Sequence, residues 1–122
     1  MPQELEGDLL AADARVAIVV ARFNDLVTEH MLNNAVRAWH SLGGKDDNLT
    51  VARVPGSFEL PVTALNLAQT KKYHAIICLG CVIRGGPPHF DYVCGAVNNG
   101  VGRVSLDTGA PVIFAGRTTD TT

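Results

Sequence analysis

Residues 15–21 read RVAIVVA, an arginine followed by six apolar residues with no polar side chain between them. A strand with one wet face alternates polar and apolar residues. An unbroken apolar run of this length predicts a strand covered on both faces, as in a parallel sheet flanked by helices. The run ends in the polar bend Arg22-Phe23-Asn24-Asp25. Val27, Met31, Ala35, Trp39 and Leu42 then recur at helical spacing, with Asp25 or Thr28 expected as cap and Gly43-Gly44 as stop. Residues 49–54 (LTVARV) predict a second strand, broken by Pro55-Gly56. A second helix is expected to open at Ser57 or Phe58, with Ser57 as cap and Glu59 in the first turn, where the helix dipole favours an acid. Leu60, Ala64, Leu67 and Ala68 form its apolar face. Residues 75–83 predict a third strand and 84–90 (RGGPPHF) a loop. Phe90, Val93, Cys94, Val97, Val101 and Val104 then mark a third helix up to Thr108-Gly109, and 111–115 (PVIFA) predict a fourth strand.

Strands alternating with helices through short connections predict an α/β fold, an open parallel sheet with right-handed crossovers. In a flavodoxin-like three-layer sandwich with strand order 2-1-3-4, the first helix covers one face, and the second and third cover the other. Residues 1–122 thus read as a single domain that is C-terminally incomplete: the helices expected after strand four are missing, and a partner subunit would have to cover the bare face.

With 122 residues, 47% of them hydrophobic and 18% charged, the composition is that of a globular chain. A net charge of -2 argues against nucleic acid or an anionic membrane as partner. No run approaches the length that spans a bilayer. The start of the chain carries Glu4, Glu6 and Asp8 rather than a basic segment and an apolar stretch, so the cytosol is the expected compartment. Cys78 and Cys81 form a C-x-x-C, but within a strand residues three apart point to opposite faces, and no second Cys/His pair completes a metal site. These cysteines read as small buried residues, and no metal is expected.

In open parallel sheets, sites form at the carboxyl ends of the strands. The candidates there are Arg22, Phe23 and Asn24 after strand one, 55–59 after strand two, 84–89 after strand three and 117–120 beyond strand four. Phe23 offers a flat face to a heterocycle, although aromatics more often fill cores. Glu59 can serve either a ligand or the helix dipole. His89 follows Gly85-Gly86-Pro87-Pro88 and heads a helix, where an imidazole titrating near neutrality can move a proton either way. A capping or surface histidine is the plainer alternative. The Gly-Gly turn suggests an anion cradle, weakened because Pro87 and Pro88 have no N–H to donate.

Taken in order, the segments IVVARFN (18–24), VPGSFELP (54–61), YHAIICLGCVIRGGPPHFDYV (73–93) and PVIFAGRTTDT (111–121) resemble the 6,7-dimethyl-8-ribityllumazine synthase family, from about Leu5 onward. The resemblance implies a flavodoxin-like subunit that, with no cofactor, condenses 5-amino-6-(D-ribitylamino)uracil with 3,4-dihydroxy-2-butanone 4-phosphate in the penultimate step of riboflavin biosynthesis. It implies that Phe23 stacks on the pyrimidine, and that Ser57, Phe58 and Glu59 hold the ribityl chain through backbone groups and the Glu59 carboxylate. Main-chain atoms of Cys81, Val82 and Ile83 would meet the pyrimidine edge, and Gly86 and Pro87 would face the butanone phosphate. His89 would shuttle protons, and Phe114 would come from a neighbouring subunit to close the ring pocket.

The resemblance further implies a homo-oligomer, either a pentamer or a 60-mer of twelve pentamers, with sites between neighbours and riboflavin synthase as a further partner. The segment QELEGDLL (3–10) resembles the stretch that adds a strand to the adjacent subunit's sheet. Two departures stand out. Position 87 is usually Thr in the family, offering the phosphate an N–H and a hydroxyl, whereas Pro87 offers neither. The family's helical segment with a phosphate-binding Arg and Lys has no counterpart in the sequence. Each charge-assisted bond lost costs about 1.5–3 kcal/mol, so turnover is expected to fall. The alternative is a non-catalytic or degenerate shell-forming homologue. A flavin-binding electron carrier fits poorly, because RFND lacks the Gly/Ser/Thr character of a phosphate loop.

Overall fold

The computed structural model describes residues 13–22, 25–83 and 87–119, with side chains throughout except at Asp25, 81–95 and 116–119. The expected segment at 3–10 lies outside the described residues. The elements run β1 (Val16–Ala21), α1 (Asp25–Ser41), β2 (Leu49–Val54), α2 (Leu60–Gln69), β3 (Ala75–Ile83), α3 (Pro87–Thr108) and β4 (Val112–Thr119). The four strands form one sheet in the order β2-β1-β3-β4, every pair parallel, as the alternation predicts.

All six residues of β1 are buried, as the continuous apolar run requires. Its alternate side chains feed two cores. Ala17, Val19 and Ala21, with Ile76, Cys78 and Val112, pack against Leu60, Ala64 and Ala68 of α2 and against Val97, Val101 and Val104 of α3. Ile18 and Val20, with Leu79, pack against Leu32 of α1. This is a flavodoxin-like three-layer arrangement with one helix on one face and two on the other. Each fully buried Val, Leu or Ile contributes about 1.5–3 kcal/mol of transfer free energy, so the central strand stabilises both layers.

Among the described residues, no element covers the α1 face of the sheet beside β4. Ile113, pointing to that side, is 57% exposed. Among the described residues no helix is long and apolar enough to cross a membrane.

The boundaries differ from expectation in four places. Thr28 is buried within α1, past the position where a cap can act, and Asp25 is the first helical residue. Ser57 does not cap α2: residues Ser57–Glu59 form a separate 3-10 turn, and α2 starts at Leu60 with Pro61 in its first turn. Proline is tolerated there because the first N–H groups of a helix have no intrahelical acceptor. For the same reason Pro87 can open α3, which starts three residues ahead of the apolar pattern. Finally, β4 runs on to Thr119, because the nine residues of β3 offer it partners as far as Ile83. Residues 117–119 thus extend the ladder and do not form a loop.

Two close approaches fix the end of α1. Gly44 donates its N–H to the Trp39 carbonyl at 2.9 Å, and the Trp39 indole Nε1 donates to the Lys45 carbonyl at 3.1 Å. A Cβ at Gly44 would sit 2.1 Å from the indole, so glycine is required there. The neighbouring Gly43 adopts a φ of 88°, which turns the chain away from the helix.

Cys78 lies in the larger core, and burial pushes its thiol up from 9.0 to about 12. Below pH 9 both folded and unfolded chains keep this proton, so it adds no pH dependence. Above it the unfolded chain sheds a proton that the folded chain retains, and stability falls by at most about 1.4 kcal/mol per pH unit. The stability advantage of the native chain over Cys78→Ala is therefore expected to shrink as pH rises from about 8 to about 11. Denaturant unfolding of both chains across that range measures it, and a constant difference would show that the thiol ionises in place.

Candidate active site

Because every strand pair is parallel, Ala21, Val54, Ile83 and Thr119 end on the same edge of the sheet. The edge is built from chain segments far apart in sequence. Ala21 lies in register with Val54, and one step beyond, the Arg22 N–H donates to the Val54 carbonyl at 2.8 Å. That bond brings the exit of β1 to the start of the 55–59 turn. Phe23 and Asn24 lie outside the described residues.

Within the turn, Gly56 is extended and the Glu59 N–H donates to the Gly56 carbonyl at 3.2 Å. The Glu59 carboxylate folds back over the turn, its Oε2 lying 3.6 Å from where a Cβ on Gly56 would stand. Phe58 projects outward and is 56% exposed, which suits a residue offering backbone rather than side chain. Ser57 points inward. It is buried, and its Oγ has no hydrogen-bond partner among the described residues.

The hydroxyl lies over β3. A Cβ on Gly80 would fall 2.8 Å from Ser57 Oγ, 3.2 Å from Leu60 Cδ1 and 3.2 Å from Phe114 Cε1. Gly80 is thus the space into which the turn, α2 and β4 close. Its role escapes sequence reading because nothing in AIICLGCVI says which strand position will be overlain. Phe114 is half-buried against the larger core.

Cys81, Val82 and Ile83 pair with Arg117, Thr118 and Thr119, so their main chain lies at the sheet's carboxyl edge beside β4. Gly86 lies outside the described residues, as do 84 and 85. Pro87 is the first residue of α3 and His89 the third, with side chains that are not described. The structure therefore gathers Ser57, Phe58, Glu59 and the 81–83 main chain near one edge, with the start of α3 following β3 by three residues, while Phe114 stands opposite Cys78, short of the end of β4. Of the other histidines, His30 faces Asn34, His40 contacts Asp46 at 2.5 Å, and His74 Nδ1 accepts the Arg15 N–H at 2.8 Å, all of them exposed. Among the described residues no group of three or more His, Cys, Asp or Glu could hold a metal ion.

A second feature missed in the sequence is an ion pair at the rim. Arg53, the penultimate residue of β2, donates through Nη1 to Glu29 Oε1 of α1, and its Nη2 lies 3.5 Å from Oε2. The residues are 24 apart, and no periodicity links them.

An unpartnered buried hydroxyl costs about 1–3 kcal/mol. Ser57→Ala is therefore expected to raise the unfolding free energy by about 1 kcal/mol, measured by denaturant unfolding. A loss of stability would instead show that the hydroxyl has a partner in solution.

The profile of the family described as 6,7-dimethyl-8-ribityllumazine synthase matches residues 13–122. A protein of that name from Desulfatibacillum aliphaticivorans is 50% identical over 121 residues, covering 99% of this chain and 78% of the relative. Another of the same name, from Salinibacter ruber, is 50% identical over 121 residues with the same coverage. The match runs through all four strands and all three helices and includes each segment that forms the carboxyl edge. The chain belongs to the 6,7-dimethyl-8-ribityllumazine synthase family.

Proposed function

We propose that the chain, acting as one domain over residues 1–122, condenses 5-amino-6-(D-ribitylamino)uracil with 3,4-dihydroxy-2-butanone 4-phosphate to 6,7-dimethyl-8-ribityllumazine. The observation that carries this reading is the meeting of the β2, β3 and β4 ends at one edge, inside a family match that spans residues 13–122. The ribityl chain runs along the backbone of Ser57 and Phe58 to the Glu59 carboxylate. The pyrimidine edge meets the main chain of Cys81, Val82 and Ile83. Phe23 stacks on the ring, and Phe114 of a neighbouring subunit closes it. Gly86 and Pro87 face the phosphate.

The pyrimidine amine attacks the ketone and, with loss of water, forms an imine. A proton then leaves carbon as phosphate departs from its neighbour, and the ribitylamino nitrogen closes the ring with loss of a second water. Each step moves a proton, and His89 in the first turn of α3 carries it. Holding both substrates in a reactive geometry supplies much of the remaining acceleration, so few catalytic side chains are needed. We further propose a cytosolic homo-oligomer, a pentamer or a cage of twelve pentamers, with riboflavin synthase as a partner. The apolar surface left open on the single chain supports assembly: Val62 and Leu106 are exposed on the helices, and Ile113 on β4.

His89→Ala is expected to lower kcat by about 100-fold or more, followed through product fluorescence with both substrates. An unchanged kcat would remove His89 from the chemistry. Pyrimidine binding without any turnover by the native chain would favour a shell-forming homologue, a reading that Pro87 supports. Restoring an N–H and a hydroxyl with Pro87→Thr is expected to lower the KM for the butanone phosphate about tenfold. Equal values in the two chains would place the phosphate elsewhere.

A further inference from the structure

We infer that Arg53 and Glu29 are positioning residues: their ion pair sets the distance between α1 and the 55–59 turn and acts through those elements on pyrimidine binding. The inference rests on the reading of the site proposed above.

α1 lies across the middle of the sheet. Its apolar face packs on Ile18 and Val20 of β1 and on Leu79 of β3, so it straddles the two inner strands. β2 presents Leu49, Val51 and Arg53 to the same side, in register with Val16, Ile18 and Val20. Leu49 packs against the α1 core, but it stands at the amino end of the strand. Val51 is exposed. At the carboxyl end the position is taken by Arg53, whose guanidinium grips both carboxylate oxygens of Glu29 in the second turn of α1. The edge strand is thus joined to α1 by apolar packing at one end and by a two-point ion pair at the end that faces the site.

The other described ion pairs do different work. His40–Asp46 and Arg103–Asp107 join residues six and four apart, and each tightens a single helix or its adjoining turn. Arg53–Glu29 ties two elements that each adjoin proposed site residues in sequence: Val54 follows Arg53 and opens the 55–59 turn, while α1 begins two residues after Phe23. The Arg22 to Val54 backbone bond holds the same two segments from the β1 side. A forked guanidinium–carboxylate contact fixes direction as well as distance, which a single-point pair does not.

Steady-state kinetics of lumazine formation by the assembled chain test this, with thermal unfolding and assembly size recorded for each variant. Glu29→Gln and Arg53→Gln are each expected to raise the KM for the pyrimidine about fivefold, with kcat within about twofold. Arg53→Lys, which keeps the charge but loses the fork, is expected to fall between them and the native chain. The exchanged pair Glu29→Arg with Arg53→Glu is expected to recover most of the loss. Asp46→Asn, which breaks the exposed pair with His40, is expected to leave the pyrimidine KM unchanged. Single variants with a native pyrimidine KM, or an exchanged pair no better than the two losses combined, would overturn the positioning role while leaving the proposed function intact. A native chain that neither forms lumazine nor binds the pyrimidine would overturn the function and this inference together.

Discussion

The parallel ladders that join β1 to β2 on one side and to β3 on the other occupy its backbone polar groups, while its six side chains are buried above and below. A strand in that position cannot shift by one residue. A slip would move Ile18 and Val20 out of the α1 core, and Ala17, Val19 and Ala21 out of the core beneath α2 and α3. The register of β1 therefore sets the height of every neighbouring strand, and with it the level at which each strand ends.

That level matters because chemistry on a parallel sheet is confined to one edge. Each crossover carries the chain back to the same end of the sheet, so segments separated by dozens of residues leave it side by side. The Arg22 to Val54 bond joins two of these exits directly, and the pairing of Cys81, Val82 and Ile83 with Arg117, Thr118 and Thr119 joins two more. The site is assembled from backbone ends more than from clustered reactive side chains. This suits a reaction in which positioning two substrates does much of the work.

The two outer strands meet different demands. β2 is thinly covered on the α1 side and exchanges apolar packing for a charged contact towards its carboxyl end. β4 keeps Val112 and Phe114 turned into the larger core but leaves Ile113 open on the opposite face. Between them, Gly80 shows how tightly the turn after β2 closes on the sheet: Ser57, Leu60 and Phe114 crowd the volume a side chain would need. The Ser57 hydroxyl, without a partner among the described residues, is a consequence of that closure, which takes it out of contact with water.

Local pattern alone determined the element order, the parallel sheet and the face that each helix buries, because a continuous apolar run and a 3.6-residue repeat each have one satisfactory way to be buried. Val97, Val101 and Val104, or Leu60, Ala64 and Ala68, announce their buried face without reference to the rest of the chain. The motifs around residues 54–61 and 73–93 likewise carried the family. Only the tertiary structure decided what depends on a neighbour. β4 runs on to Thr119 because β3 is long enough to pair with it, Ser57 leaves the helix start because a separate turn forms there, and Gly80 is left bare by three elements meeting above it. The Arg53–Glu29 contact belongs to the same class, since an ion pair between residues 24 apart exists only once two strands and a helix have been laid side by side.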